Sequence, residues 1–103
     1  MMVKSKVKYI QSLSQKKQRD DDGVFVAEGP KIINELLGSD LVELLELFAL
    51  EEWTNSNSRI TAIHLSKIEV IDEQMLSRLS FLSTPNLVIG IFKKRLAENF
   101  NMK

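Results

Sequence analysis

The stretch Val24-Phe25-Val26-Ala27-Glu28-Gly29-Pro30-Lys31 decides how this chain folds. Four apolar residues in succession suit a short strand covered on both faces, as in a sheet with helices above and below it. Gly29 can take backbone angles closed to other residues, and Pro30 is favourable in the first turn of a helix, where its missing N–H costs nothing. Glu-Gly-Pro is therefore a strand-to-helix turn. The helix that follows carries Ile32, Ile33, Leu36 and Leu37 on one side and stops at Gly38.

Upstream, Val7, Ile10 and Leu13 recur at helical spacing, which predicts one amphipathic helix from about Lys6 to Arg19 with a basic polar face. Asp20, Asp21, Asp22 and Gly23 read as the turn into the strand. Downstream, Leu41–Leu50 (LVELLELFAL) is ambiguous: Leu41, Leu44, Leu45 and Phe48 fit a helix, while Leu45, Leu47 and Ala49 alternate with their neighbours. Context favours a strand in its second half, with Trp53 just beyond. Further strands are expected at Ile60–Leu65 (ITAIHL) and Leu87–Phe92 (LVIGIF). Ser66 and Glu69 have the spacing of a capping box, implying a short helix with Ile68 and Ile71; Asp72 should cap another carrying Met75, Leu76 and Leu79. The sum is a single layered α/β/α domain around a small mixed sheet of about four strands.

A length of 103 residues, 44% hydrophobic and 27% charged, is enough for one domain with a real core. With no cysteine and His64 as the one histidine, neither a disulfide framework nor a zinc site is expected. The sequence has no apolar run of the ~20 residues that span a bilayer and no signal-peptide core, so a cytoplasmic protein without membrane or metal partners is expected. Formal net charge is zero, but the charges are sorted along the chain. Met1–Arg19 holds six basic residues (Lys4, Lys6, Lys8, Lys16, Lys17, Arg19) and no acid, whereas Asp20–Glu52 holds ten acids against Lys31 alone. Lys93, Lys94 and Arg95 make the far end basic again.

Catalytic chemistry finds few materials here. One histidine leaves a nucleophile at most one such base, no serine sits in a G-x-S-x-G elbow, and the four glycines form no phosphate-cradling loop. His64 reads as an ordinary sheet residue, and Glu51 and Glu52 as a solvated helix start. The uncompensated basic N-terminal segment points instead to a surface that faces a polyanion.

In order, a basic amphipathic helix, Arg19, VFVAEGPKIINELL, a strand followed by Trp53, ITAIHLS, and LSTPNLVIGIFKK resemble the N-terminal substrate-binding domain of the SpoU (TrmH-type) RNA 2'-O-ribose methyltransferases. The likeness runs from about Lys6 to Lys94, and its most specific parts are Arg19, Phe25, Val26, Glu28, Gly29, Thr84 and Pro85. Asn86 stands where that family often has glutamine. The resemblance implies a fold like that of kink-turn-binding ribosomal proteins and an RNA substrate-binding domain over residues 1–95. Residues 96–103 become a tail or linker toward a knotted methyl-transfer domain. That absent domain would hold S-adenosylmethionine, the catalytic arginine and the dimer interface. The chain alone is then expected to be inactive, without a cofactor and monomeric, and the full enzyme a homodimer.

The partner so implied is structured RNA, ribosomal or transfer, and the expected contacts are Lys16, Lys17, Arg19, Lys93 and Lys94. A guanidinium can grip phosphate in a bidentate fork, and lysines add charge without sequence preference. Glu28, Gly29 and Pro30 are expected to form a structural turn, since a carboxylate repels phosphate, although direct RNA contact by Glu28 is the other reading. The alternative function is a protein-interaction domain docking through Trp53, Phe48 or the apolar tail residues Phe100 and Met102.

Overall fold

The computed structural model describes residues 2–95. Among them are six α-helices, one 3-10 turn and four strands. In chain order these are α1 (Lys4–Ser12), α2 (Lys16–Asp22), β1 (Val24–Glu28), α3 (Pro30–Leu37), β2 (Val42–Ala49), α4 (Glu51–Ser56), α5 (Ser58–Ile63), the turn Leu65–Lys67, β3 (Ile68–Val70), α6 (Glu73–Leu79) and β4 (Val88–Lys94). The strands form one mixed sheet in the order β1-β4-β2-β3; β4 runs antiparallel to both neighbours, and β2 and β3 are parallel. The expected tail at residues 96–103, with Phe100 and Met102, lies outside the described residues.

The sheet separates two apolar layers. On one face Val7, Ile10 and Leu13 of the N-terminal segment and Leu76 and Leu79 of α6 pack on Phe48, Ile89 and Ile91. On the other, Ile33 of α3 and Trp53 of α4 pack on Leu44, Leu47, Val88 and Phe92. The continuous apolar runs of β1 and β4 follow from this covering on both sides.

β2 is a strand along its whole length, not only its second half. Its register against β4 shifts between Leu44 and Glu46, a β-bulge. The extra residue puts Leu44 and Leu47 on one face and Leu45 and Phe48 on the other, so that residues three apart share a side. This is why the segment imitates helical periodicity.

The expected single helix over Lys6–Arg19 is two. Ser12 Oγ donates to the carbonyl of Tyr9 at 2.5 Å, a local bond that competes with helix continuation, and Gln15 is extended. Leu13 is buried at the joint, and Arg19 Nη1 closes it by donating to the Leu13 carbonyl at 2.8 Å. Asp20–Asp22 are not a turn but the last residues of α2, which ends on Gly23 at φ 70°, a left-handed terminator.

Tyr9 Oη donates to Asp22 Oδ2 at 2.5 Å and so ties α1 to the end of α2. The bond holds the Tyr9 phenol protonated, pushing its pKa from 10.0 up to about 12, while Asp22 is held below the usual carboxylate range by Tyr9 and then Gln18. Because the folded phenol's pKa lies above its unfolded value, its stabilising contribution is complete below about pH 10 and disappears as the pH rises towards 12. Tyr9 is the chain's one tyrosine, so tyrosinate absorbance reads it directly. We expect a titration midpoint near 12, which Asp22→Asn brings back towards the ordinary value.

The third strand is not where alternation placed it. Ile60–Leu65 lies in α5 and the start of the 3-10 turn, and His64 caps α5 rather than lying in the sheet. The β-branched residues are overridden by topology. A parallel neighbour of β2 needs a crossover of a dozen or more residues, which a strand starting at Ile60 would not leave and one starting at Ile68 does. The Ser66/Glu69 capping box therefore does not form, and no helix carries Ile68 and Ile71. Ser66 is in the 3-10 turn and Glu69 in β3. The Asp72 cap does form: its Oδ1 accepts from the Met75 amide at 2.8 Å.

Candidate nucleic-acid interface

The sheet order puts two different surfaces at opposite ends of the strands. At one end, Lys93 of β4 lies opposite Val24, the first residue after α2 and its terminating glycine, and Lys94 lies opposite Val42. The Arg95 amide donates to the Leu41 carbonyl at 2.9 Å. The antiparallel pairing of β1 with β4 sets Lys93 across from the residue that follows α2 and its terminating glycine. Asp20 of α2 is held below the usual carboxylate range chiefly by Lys16, with smaller contributions from Arg19 and Lys94.

The charges at this end are not equally available. Lys16 pairs with Asp20 at 2.7 Å and Lys17 with Asp21 at 3.0 Å, one turn apart on an exposed helix. Such pairs contribute well under about 1 kcal/mol and open readily. Arg19 spends one guanidinium nitrogen on the Leu13 carbonyl. Lys93, Lys94 and Arg95 are exposed and carry no ion pair among the described residues.

At the other end, the Glu-Gly-Pro turn meets the loop between α6 and β4. Glu28 accepts from Ser80 Oγ at 2.5 Å through Oε1 and from the Phe81 amide at 2.8 Å through Oε2. Gly29 has φ 101° and its amide donates to the Val88 carbonyl at 2.9 Å, while Asn86 lies beside its α-carbon. Leu87, at φ 66°, turns the loop into β4 and accepts from the Leu50 amide at 3.0 Å. A shallow groove runs along this junction between Glu28, Lys31, Glu35 and Asn86. Ser80 and Phe81, which hold Glu28, carry no local sequence signal, because the bonds join residues more than fifty positions apart.

Two residues considered for protein docking are core residues instead: Trp53 is 2% and Phe48 1% exposed. The indole N–H of Trp53 is buried and meets no acceptor among the described residues. Among these residues no cluster of histidine, aspartate and glutamate could hold a metal ion, and no helix is long and apolar enough to cross a membrane.

The fold is a small α/β domain with two apolar layers on one mixed sheet. The chain belongs to the MRM3-like substrate binding domain family, whose sequence model matches residues 4–90. Its fold is similar to part of an rRNA methyltransferase from Sinorhizobium meliloti, at 26% identity and TM-score 0.73, covering 92% of this chain and 36% of that one. An AdoMet-bound rRNA methyltransferase structure from the same organism is 28% identical at TM-score 0.69, with 92% and 35% covered. A putative RNA methyltransferase of the TrmH family from Porphyromonas gingivalis shares the fold at TM-score 0.75 and 22% identity, with 90% and 36% covered. The chain thus spans about a third of the length of these solved structures. No curated protein matches the sequence significantly.

Proposed function

We propose that this chain is the RNA substrate-recognition domain of a SpoU/TrmH-type rRNA or tRNA 2'-O-ribose methyltransferase. It presents a structured RNA to a methyl-transfer domain that uses S-adenosylmethionine and lies outside this chain. The observation that supports this reading is the family match to a substrate-binding domain, together with Lys93, which lies across from Val24, the residue that follows α2 and its terminating glycine. By itself the chain carries no methyl transfer. It is proposed to act in the cytoplasm, as a monomer when isolated and within a homodimer in the parent enzyme.

The lysines contact phosphate without reading sequence. The Lys16–Asp20 and Lys17–Asp21 pairs release their ammonium groups to RNA at small cost, since both are solvent-exposed. Arg19 serves the α1–α2 joint as well as the surface, so it is kept in the first variant. Replacing Lys16, Lys17, Lys93 and Lys94 together with alanine is expected to weaken binding to a structured ribosomal RNA fragment. The salt dependence should flatten by about one slope unit for each phosphate that is no longer neutralised. Amide chemical shifts followed during an RNA titration check both the affinity and the surface. Wild-type affinity and salt slope in the fourfold variant would remove these residues from the interface.

A further inference from the structure

The sheet has two outer edges, and they are built differently. β3 is three residues long, carries Glu69 at its centre and follows directly on Lys67, so it is short and charged, as edges that resist pairing commonly are. β1 is five residues long; Val24, Phe25, Val26 and Ala27 are apolar, and the strand contains neither lysine nor proline. Val24, Phe25, Val26 and Glu28 are half-buried, and among the described residues β1 pairs with β4 alone.

The ladder shows which backbone groups of β1 are open. The Gly29 amide donates to the Val88 carbonyl at 2.9 Å, one place beyond the pairing of Glu28 with Ile89. Bonding alternates along an antiparallel pair, so Phe25 and Ala27 turn their N–H and C=O groups to β4, and Val24, Val26 and Glu28 turn theirs outward. The side chains divide in the same way: Val24 and Val26 pack on the layer of α1 and α6, Phe25 and Ala27 on the layer of α3.

We propose that β1 pairs with β1 of a second copy of the chain, antiparallel about a two-fold axis at Val26, which joins the two four-stranded sheets into one. In that register the edge is self-complementary. Val26 meets Val26, and Phe25 meets Ala27, a large side chain against a small one. Val24 meets Glu28, and next to Val24 in the same row stands Lys93. Each Glu28 therefore lies two strand spacings, about 10 Å, from Lys93 of the second copy, with opposite charges flanking a valine and no like charges opposed along the strands. The neighbouring registers are worse. A two-fold axis at Phe25 opposes Glu28 to Asp22, and one at Ala27 opposes Val24 to Pro30, which has no N–H to donate. Three outward residues a side make a weak contact, so dilute chains stay monomeric and the strands pair where two copies are held close.

The test is an NMR titration of the chain against itself, without RNA, from dilute to near millimolar concentration. The Val24, Val26 and Glu28 amides are expected to shift with concentration. In a mixture of labelled and unlabelled chains, cross-chain NOEs should join the α-protons of Phe25 and Ala27, the pair at which the two backbones come closest. Val26→Pro removes an outward donor and leaves the bonds to β4; it should weaken self-association by about thirty-fold, since one symmetric pair of backbone hydrogen bonds is lost. The Phe25 and Ala27 amides should stay protected in that variant. If the proline variant does not fold, the cross-chain NOEs of the natural chain decide. No concentration dependence at the outward amides overturns the inference, as does self-association that Val26→Pro leaves unchanged. Slow exchange of the three outward amides in a chain that sediments as a monomer also overturns it, and assigns the edge to another segment of the same chain.

Discussion

Gly90→Ala is expected to lower the stability of this domain by about 2 kcal/mol, although alanine is ordinarily the better strand residue by ~0.5–1 kcal/mol. A β-carbon at Gly90 would lie 2.8 Å from Phe92 Cε1, 3.0 Å from Leu47 Cδ1 and 3.1 Å from Ile33 Cδ1. These side chains are fully buried, and none can swing into solvent. The gain in strand propensity is thus smaller than the cost of overpacking, and the Phe92, Leu47 and Ile33 side chains must shift. For a domain of this size that corresponds to a melting temperature lower by about 10 °C. Gly38→Ala is the control: its β-carbon would meet only the Asn34 and Glu35 carbonyls at 3.8 Å, ordinary van der Waals separations. Thermal unfolding followed by circular dichroism checks both. Wild-type stability in Gly90→Ala would mean that Phe92, Leu47 and Ile33 do not pack over Gly90 as closely as described.

Glu28→Ala is expected to cost a similar amount, about 2 kcal/mol, by a different route. The carboxylate accepts two bonds, from Ser80 Oγ and the Phe81 amide, and bonds to charged acceptors contribute about 1.5–3 kcal/mol. Glu28 is only half-buried, so water recovers part of the loss. Glu28→Gln retains one carbonyl acceptor and should fall between the two. Chemical denaturation reads the stability, and hydrogen exchange at the Phe81 amide reads the turn itself. Unchanged exchange in Glu28→Ala would show that the turn does not depend on this carboxylate.

The parts of this fold that can be read from sequence are those in which local and global demands agree. VFVAEGPK is a strand, a glycine turn and a proline-started helix whether considered alone or in the sheet. Val88–Phe92 of the expected Leu87–Phe92 strand and the cap at Asp72 also take the structures their residue types favour, whereas Leu87 lies before β4 at φ 66°. The misread parts are those in which the two demands conflict. Ile60–Leu65 alternates like a strand, but the parallel crossover between β2 and β3 requires that stretch to be helical. Leu41–Leu50 repeats like a helix because a bulge shifts its faces. The Lys6–Arg19 segment keeps its apolar triad, yet it breaks where a serine hydroxyl takes a backbone carbonyl.

The candidate interface divides in the same way. Composition and order alone determined that the first nineteen residues are basic and the following stretch to Glu52 acidic, because these depend only on which residues are present. Tertiary structure decided which charges are engaged and which stand open. It paired Lys16 and Lys17 with aspartates one turn away, gave Arg19 a helix-joining bond, and left Lys93, Lys94 and Arg95 without ion pairs among the described residues. It also placed Ser80 and Phe81 on Glu28. Hydrogen bonds and charge pairs depend on distance in space, and the antiparallel pairing of β1 with β4 sets distances that sequence separation does not contain.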